Sequence, residues 1–217
     1  MKQVFIAGGT GYIGTRLIKR LLKKGYTVTA MVRKGSEEKV PAGAKIVIAD
    51  PFNHETFMAA VPINAVFVQL LGVSHPSPRK AVQFNSIDLR SAQASLLAAK
   101  AAGVNHFIYV SVAMEPSSMM HAYQEIRKAG EALCLRSNIP STFIRPWYVL
   151  GPGHYWPILL LPLYGIAGLI PSLRKKATAF GLVTIHQMVQ ALVNTICAEP
   201  VACRIMEIAE IRKSLQQ

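Results

Sequence analysis

Residues 3–14, QVFIAGGTGYIG, constrain what this chain can fold into more than any other stretch. Val4, Phe5, Ile6 and Ala7 form a short unbroken apolar run, as expected of a strand buried on both faces of a parallel sheet. A glycine turn follows at once. Beyond it Ile13, Leu17, Ile18, Leu21 and Leu22 recur at helical spacing. Gly8, Gly11 and Gly14 therefore lie on the strand-turn-helix hinge of a first βαβ unit. In that position each has a physical task. The first lets the chain turn sharply, the second lets a pyrophosphate reach the main chain, and the third lets helix and strand pack closely. The helix behind them would aim free amides and the positive end of its dipole at the phosphates. A tight turn with no ligand is the plain alternative, but three glycines cost backbone entropy that such a turn does not need.

The spacing is GxxGxxG, and the text GGTGYIG resembles the short-chain dehydrogenase/reductase superfamily in its extended and atypical branches, which include NmrA-like NAD(P)H-binding proteins. The resemblance implies a Rossmann fold, a nicotinamide cofactor and a cofactor-binding set of Gly8, Thr10, Gly11, Tyr12, Ile13 and Gly14. Gly25 stops the first helix, and the β-branched run Thr27–Val32 reads as the second strand. Arg33 and Lys34 come next, about twenty residues past the last glycine. An acid there would bind the ribose hydroxyls of NAD; a cation accommodates the 2′-phosphate of NADP. With no acid before Glu37, the pattern favours NADP(H), with NAD(H) still open and Lys34 alternatively a solvated loop charge. Lys45–Ile48 reads as the third strand. In the resembling family an aspartate after it approaches adenine, which makes Asp50 a cofactor contact or, alternatively, a plain turn residue. Residues 54–60 suit a short helix. Residues 65–70, AVFVQL, read as the fourth strand and place Leu71 and Gly72 beyond its carboxyl end, near the middle of the cofactor.

After a loop holding Pro76 and Pro78, helical spacing runs over residues 84–102 and stops at Gly103. The text NSIDLRSAQASLLAAKAAGVNHFIYVSV resembles the passage of extended members in which an asparagine, here Asn85, opens the helix and a serine, here Ser111, closes the fifth strand, His106–Val110. In that family the serine joins a tyrosine and a lysine four residues later as the catalytic set for proton transfer coupled to hydride transfer. The cation lowers the phenol from its ordinary pKa near 10. Here Tyr123 opens AYQEIRKAGEAL, and the residue four on is Arg127. The i, i+4 spacing keeps it on the same helix face, whereas Lys128 lies well round the helix. Arginine supplies charge but cannot relay a proton. Either catalysis departs from the family's usual scheme or the chain binds cofactor without turnover. Half-buried packing for Tyr123 and strand-end turn chemistry for Ser111 stay open.

Residues 141–145 read as the sixth strand, and PWYVLGPG, residues 146–153, resembles the family's loop to the substrate side. The segment of about 147–180 forms the small substrate-side extension. Within it WPILLLPLYGIAGLI, residues 156–170, is uncharged and too short to span a bilayer, which needs about twenty apolar residues. Arg174, Lys175 and Lys176 follow. A hydrophobic lid, ordinary core or dimer surface, and a peripheral membrane contact through residues 156–176 all fit. Residues 184–198 read as an amphipathic helix capped by Thr184, and residues 204–208 as a final strand.

With 217 residues and 51% hydrophobic content, a single doubly wound α/β Rossmann domain, residues 1–217, with a mainly parallel sheet is the expected fold. The net charge of +13 is scattered and lacks aromatic interleaving, which argues against nucleic acid as a partner. Cys134, Cys197 and Cys203 are odd in number, with no metal spacing, so reduced thiols in a cytoplasmic protein and no metal site are expected. Three functions fit: an NADP(H)-dependent oxidoreductase on a small apolar carbonyl or quinone-like substrate, a non-catalytic NADP(H)-binding redox sensor, and an epimerase or isomerase. Oligomeric state stays open.

Overall fold

Short runs rich in valine, isoleucine, phenylalanine and tyrosine dominate the strands of this chain, and such side chains suit a pleated surface covered on both faces. The computed structural model describes residues 2–73, 76–115, 117, 119–155 and 181–216. The strands are β1 (Gln3–Ala7), β2 (Thr27–Val32), β3 (Lys45–Ile48), β4 (Val66–Gln69), β5 (His106–Val110), β6 (Ser141–Ile144), β7 (Tyr148–Leu150), β8 (Leu182–Thr184) and β9 (Cys203–Met206). A seven-stranded sheet has the order β3-β2-β1-β4-β5-β6-β9, with every neighbour parallel. Strands β7 and β8 pair apart from it as a small parallel ribbon. The chain builds outward from β1 to β2 and β3, then returns across β1 to β4 and onward, so the topological switch point lies between β1 and β4. Ligands of doubly wound sheets bind beyond the carboxyl ends at that point.

The main helices are α1 (Tyr12–Lys23), a short α2 (Ala81–Gln83), a π-helical turn (Phe84–Leu89), α3 (Arg90–Ala101), α4 (His121–Arg136), α5 (Ile185–Cys197) and α6 (Ile208–Lys213). On one face Leu17, Ile18 and Leu21 of α1 join Met188 and Leu192 of α5 over Val4 and Ile6 of β1. On the other, Ala92 and Ala98 of α3 and Cys134 of α4 cover Phe5, Phe67 and Phe107. Fully burying such side chains stabilises the fold by about 1.5–3 kcal/mol each. Alternate residues of β1 thus serve opposite cores, which is why its sequence is apolar throughout.

Several boundaries differ from the sequence expectation. Residues 54–60 form two 3-10 turns, His54–Thr56 and Met58–Ala60, with the Asn53 side chain accepting from the Glu55 amide at the first. The final strand begins one residue earlier and ends two earlier, and Ile208, which the pattern placed in it, begins α6 behind a capping box of Glu207 and Glu210. Thr184 does cap α5, in a capping box with Gln187. Among the described residues no helix is long and apolar enough to cross a membrane, and no cluster of acidic, histidine or cysteine side chains could hold a metal ion. The apolar stretch at residues 156–170 and the basic triplet after it lie outside the described residues.

Candidate cofactor and active site

The glycine turn is built as its spacing implies. Gly8 adopts φ +90°, a left-handed conformation that a side chain disfavours. A side-chain carbon on Gly14 would overlap the Gly8 carbonyl oxygen, so the third glycine is where helix and turn touch. Between them the Gly11 amide donates to that same carbonyl at 3.1 Å. Gly11 is the N-cap of α1, makes no side-chain cap, and has no acid in the first helical turn behind it. The leading amides of a twelve-residue helix are thus left without a carboxylate, the arrangement an anionic phosphate needs.

The remaining cofactor candidates divide. The amide of Leu70 donates to Ala7 at 2.9 Å, which sets the β4 loop with Leu71 and Gly72 beside the turn, at the switch point. Arg33 and Lys34 are exposed just past β2, and neither belongs to an ion pair among the described residues. Asp50 follows β3, where one carboxylate oxygen accepts from the Phe52 amide at 2.9 Å and closes the local turn. Thr10 is half-buried, and Ile13 packs on the α1 side of the core. The Tyr12 side chain meets a later segment of the chain. Its ring lies 4.2 Å from that of His154 and 4.1 Å from the Arg16 guanidinium, and its hydroxyl abuts Gly151. It therefore docks the turn after β7 onto α1. These residues fit a dinucleotide: the turn and α1 would hold the pyrophosphate, and Arg33 and Asp50 flank the adenosine side.

The second half of the site centres on Arg127, which is buried. Its Nε donates to the Tyr123 hydroxyl at 3.1 Å, and one terminal nitrogen donates to the Tyr109 hydroxyl at 3.3 Å and to the Val110 carbonyl at 3.0 Å. The other meets Asp88 Oδ1 at 2.6 Å. Tyr123, Arg127 and the end of β5 that carries Ser111 are thus brought together. Ser111 is 4% exposed, and its Oγ has no partner among the described residues. Such an orphaned buried hydroxyl awaits a polar atom. Lys128 is exposed, as its position round the helix implies.

Electrostatics depart from the sequence expectation. Arg127 pulls the Tyr123 phenol downward, but burial is the larger effect and carries it above its ordinary value, with the Asp88 charge adding to the rise. Burial likewise pushes Tyr109 up to about 12. Asp88 is also raised, by burial first, against the pull of Arg127 and of the Val73 amide. Neither Asp88 nor Tyr109 stood among the sequence candidates. A signal existed for the first: Phe84, Asp88, Ser91 and Ser95 share one helical stripe, and an acid on a buried stripe calls for a cation.

Around the phenol the walls are apolar. Val73, Phe84 and Val112 cluster with Tyr123, and Met114, Met120 and Trp147 pack against them. The Phe84 ring lies 4.9 Å from that of Tyr123.

Comparison with known proteins agrees with this geometry. Residues 8–152 match the model of a family described as NAD(P)H-binding. Ceramide reductase of Caulobacter vibrioides is 23% identical over 212 residues, covering 97% of this chain and 65% of that protein. Pinoresinol reductase 1 of Arabidopsis thaliana is 30% identical over 164 residues, 65% of this chain and 48% of that one. The chain therefore spans less than two thirds of the length of these relatives. Among solved structures, a UDP-glucose 4-epimerase superposes with a TM-score of 0.70 at 18% identity, over 99% of this chain and 81% of its own. A UDP-glucuronic acid 4-epimerase of Bacillus cereus in complex with NAD reaches 0.70 at 17%, over 95% and 77%. At such identities the likeness is one of fold.

Proposed function

The chain belongs to the NAD(P)H-binding family, and from that premise we propose that it is an NADP(H)-dependent reductase of a small, largely apolar carbonyl or quinone-like substrate. The observation that carries the reading is a phenol, Tyr123, enclosed by apolar side chains yet hydrogen-bonded to a buried arginine. A carbonyl entering such surroundings finds one polar side and little else to solvate it, which selects an apolar body around the reacting group. Tyr123 serves as proton donor, Ser111 orients the substrate oxygen, and Arg127 supplies charge to the phenolate left behind. When bound, the reduced nicotinamide supplies the hydride. The reductase names of two relatives support the reaction class, and Arg33 supports NADP(H) over NAD(H).

A second reading, an NADP(H)-binding sensor without turnover, is favoured by the way protein groups already occupy the donors of Arg127. NADPH oxidation against a panel of aldehydes and quinones separates the two. Under the reductase reading Tyr123→Phe abolishes turnover and leaves cofactor affinity unchanged within about twofold; a variant that still turns over removes Tyr123 as proton donor.

A further inference from the structure

Arg127 is the cation nearest to the candidate proton donor, but it does not act alone. Asp88 enters from the π-helical turn, is wholly buried, and meets the guanidinium at 2.6 Å. Its second oxygen accepts from the Val73 amide at 3.0 Å. An arginine and an amide are both donors, so Asp88 acts only as an acceptor, as a carboxylate does. π-Helical turns recur at functional sites, where the additional residue redirects a side chain; here the turn carries Asp88 in the buried stripe and leaves neighbouring Asn85 and Ser86 exposed.

The charged and titratable groups facing Tyr123 among the described residues are few. They are Arg127 from its own helix, Asp88 from the π turn and, through the same guanidinium, Tyr109 from β5. Phe84, Val73, Val112 and the flanking methionines supply no charge. A tyrosine beside an uncompensated cation in such low-dielectric surroundings would lose its proton readily. Beside a cation already matched by a carboxylate, it would not.

We propose that Asp88 is a positioning residue that cancels the charge of Arg127 and so holds Tyr123 as a neutral phenol, setting the site for proton delivery. The inference rests on the reductase reading and gives it a direction. Tyr123 hands its proton to the carbonyl oxygen as the π pair of the carbon–oxygen bond moves onto that oxygen, and the carbonyl carbon receives the hydride. The phenolate left behind accepts from Arg127 until it regains a proton from water. Oxidation of an alcohol would need the opposite starting state, a phenolate, and Asp88 works against it. The same carboxylate also ties the β4 loop in place, since Gly72 is pressed against the guanidinium and a side chain there would strike it.

The test needs no substrate. Ultraviolet difference titration of the phenolate band, wild type minus Tyr123→Phe, isolates this tyrosine from the other six of the chain's seven. In the wild type no phenolate from Tyr123 forms below about pH 10; one titrating near neutrality overturns the proposal. Asp88→Asn lowers the midpoint by about one unit or more, because the charge of Arg127 is then uncompensated. The double variant Asp88→Asn/Arg127→Gln, with no charge left to act, returns the midpoint to the wild-type range or above. An unchanged midpoint in a folded Asp88→Asn protein refutes the charge role. So does a low midpoint that persists in the double variant, since that would trace the shift to loosened packing. If Asp88→Asn does not fold, a Tyr123 phenolate near neutrality in the wild type, or a low midpoint in the double variant, still refutes the proposal. A failed search for turnover leaves all these readings intact, so the reductase reading and this one fail separately.

Discussion

Replacing Arg127 by methionine tests how much the buried pair with Asp88 governs the stability of the site. The substitution keeps the volume of the side chain and removes its charge. Among the described residues, Asp88, wholly buried, would be left with backbone amides alone, that of Val73 at 3.0 Å. Removing one member of a buried ion pair costs about 3–5 kcal/mol, because the other charge is left uncompensated. In a chain of 217 residues that corresponds to a fall in melting temperature of about 6–20 °C. The hydroxyls of Tyr109 and Tyr123 also lose their donor, and that loss is common to any variant without the guanidinium. The double variant Arg127→Met/Asp88→Leu carries the same hydroxyl losses but no orphaned carboxylate, so it should be more stable than the single variant by about 1–2 kcal/mol.

The gap between the two variants should also depend on pH. Without Arg127 the burial that already raises Asp88 acts unopposed by the cation. A carboxyl whose folded pKa is raised contributes fully below its unfolded value, near 3.9, and loses that contribution as pH rises through the folded one. Thermal unfolding should therefore show the two variants close together near pH 4 and the single variant falling behind as pH increases. A double variant no more stable than Arg127→Met at neutral pH would refute the reasoning.

Two further predictions concern other parts of the molecule. Arg33→Asp should weaken NADPH binding by about 10- to 100-fold, at the lower end in high salt because Arg33 is exposed, and change NADH binding by less than about threefold; equal effects in a titration calorimeter would remove the 2′-phosphate argument. His106 is buried at the opposite end of β5, with Nε2 2.9 Å from the Thr142 hydroxyl, and burial together with nearby Lys2 holds it at about 4. The unfolded chain binds this proton first, so stability rises with pH between about 4 and 6.5. His106→Gln should flatten the denaturant midpoint across that window, and an unaltered slope would assign the dependence to other groups.

How much of this was legible in the sequence depended on whether the signal was local. The strands Thr27–Val32, Lys45–Ile48 and His106–Val110 were readable to the residue because β-branched runs end at turn residues or charges. The glycine turn was equally plain, since its spacing is dictated by contacts within a dozen residues. The helix behind Thr184 was announced by its amphipathic pattern and its threonine cap, to which the structure adds Gln187. The electrostatics around Tyr123 were not local. That Arg127 follows Tyr123 by four was visible, and a lowered phenol was the natural expectation. The opposing effects, burial by Phe84 and the charge of Asp88, come from a segment more than thirty residues away. The short strands β7 and β8 were missed for a related reason, because three-residue strands have no periodicity and pair only through the tertiary fold. The contact of the Tyr12 ring with His154 was equally invisible, because it joins residues more than a hundred positions apart.

The central claim is that the turn from Gly8 to Gly14 and the cation at Arg33 hold a reduced nicotinamide dinucleotide. Titrating the purified chain with NADPH and with NADH, followed by quenching of tryptophan fluorescence, tests it most directly. The account predicts saturable binding of both nucleotides, with NADPH tighter by about tenfold or more, corresponding to about 1.4 kcal/mol. Equal affinities would contradict the role of Arg33, and no saturable signal with either nucleotide would contradict the claim itself.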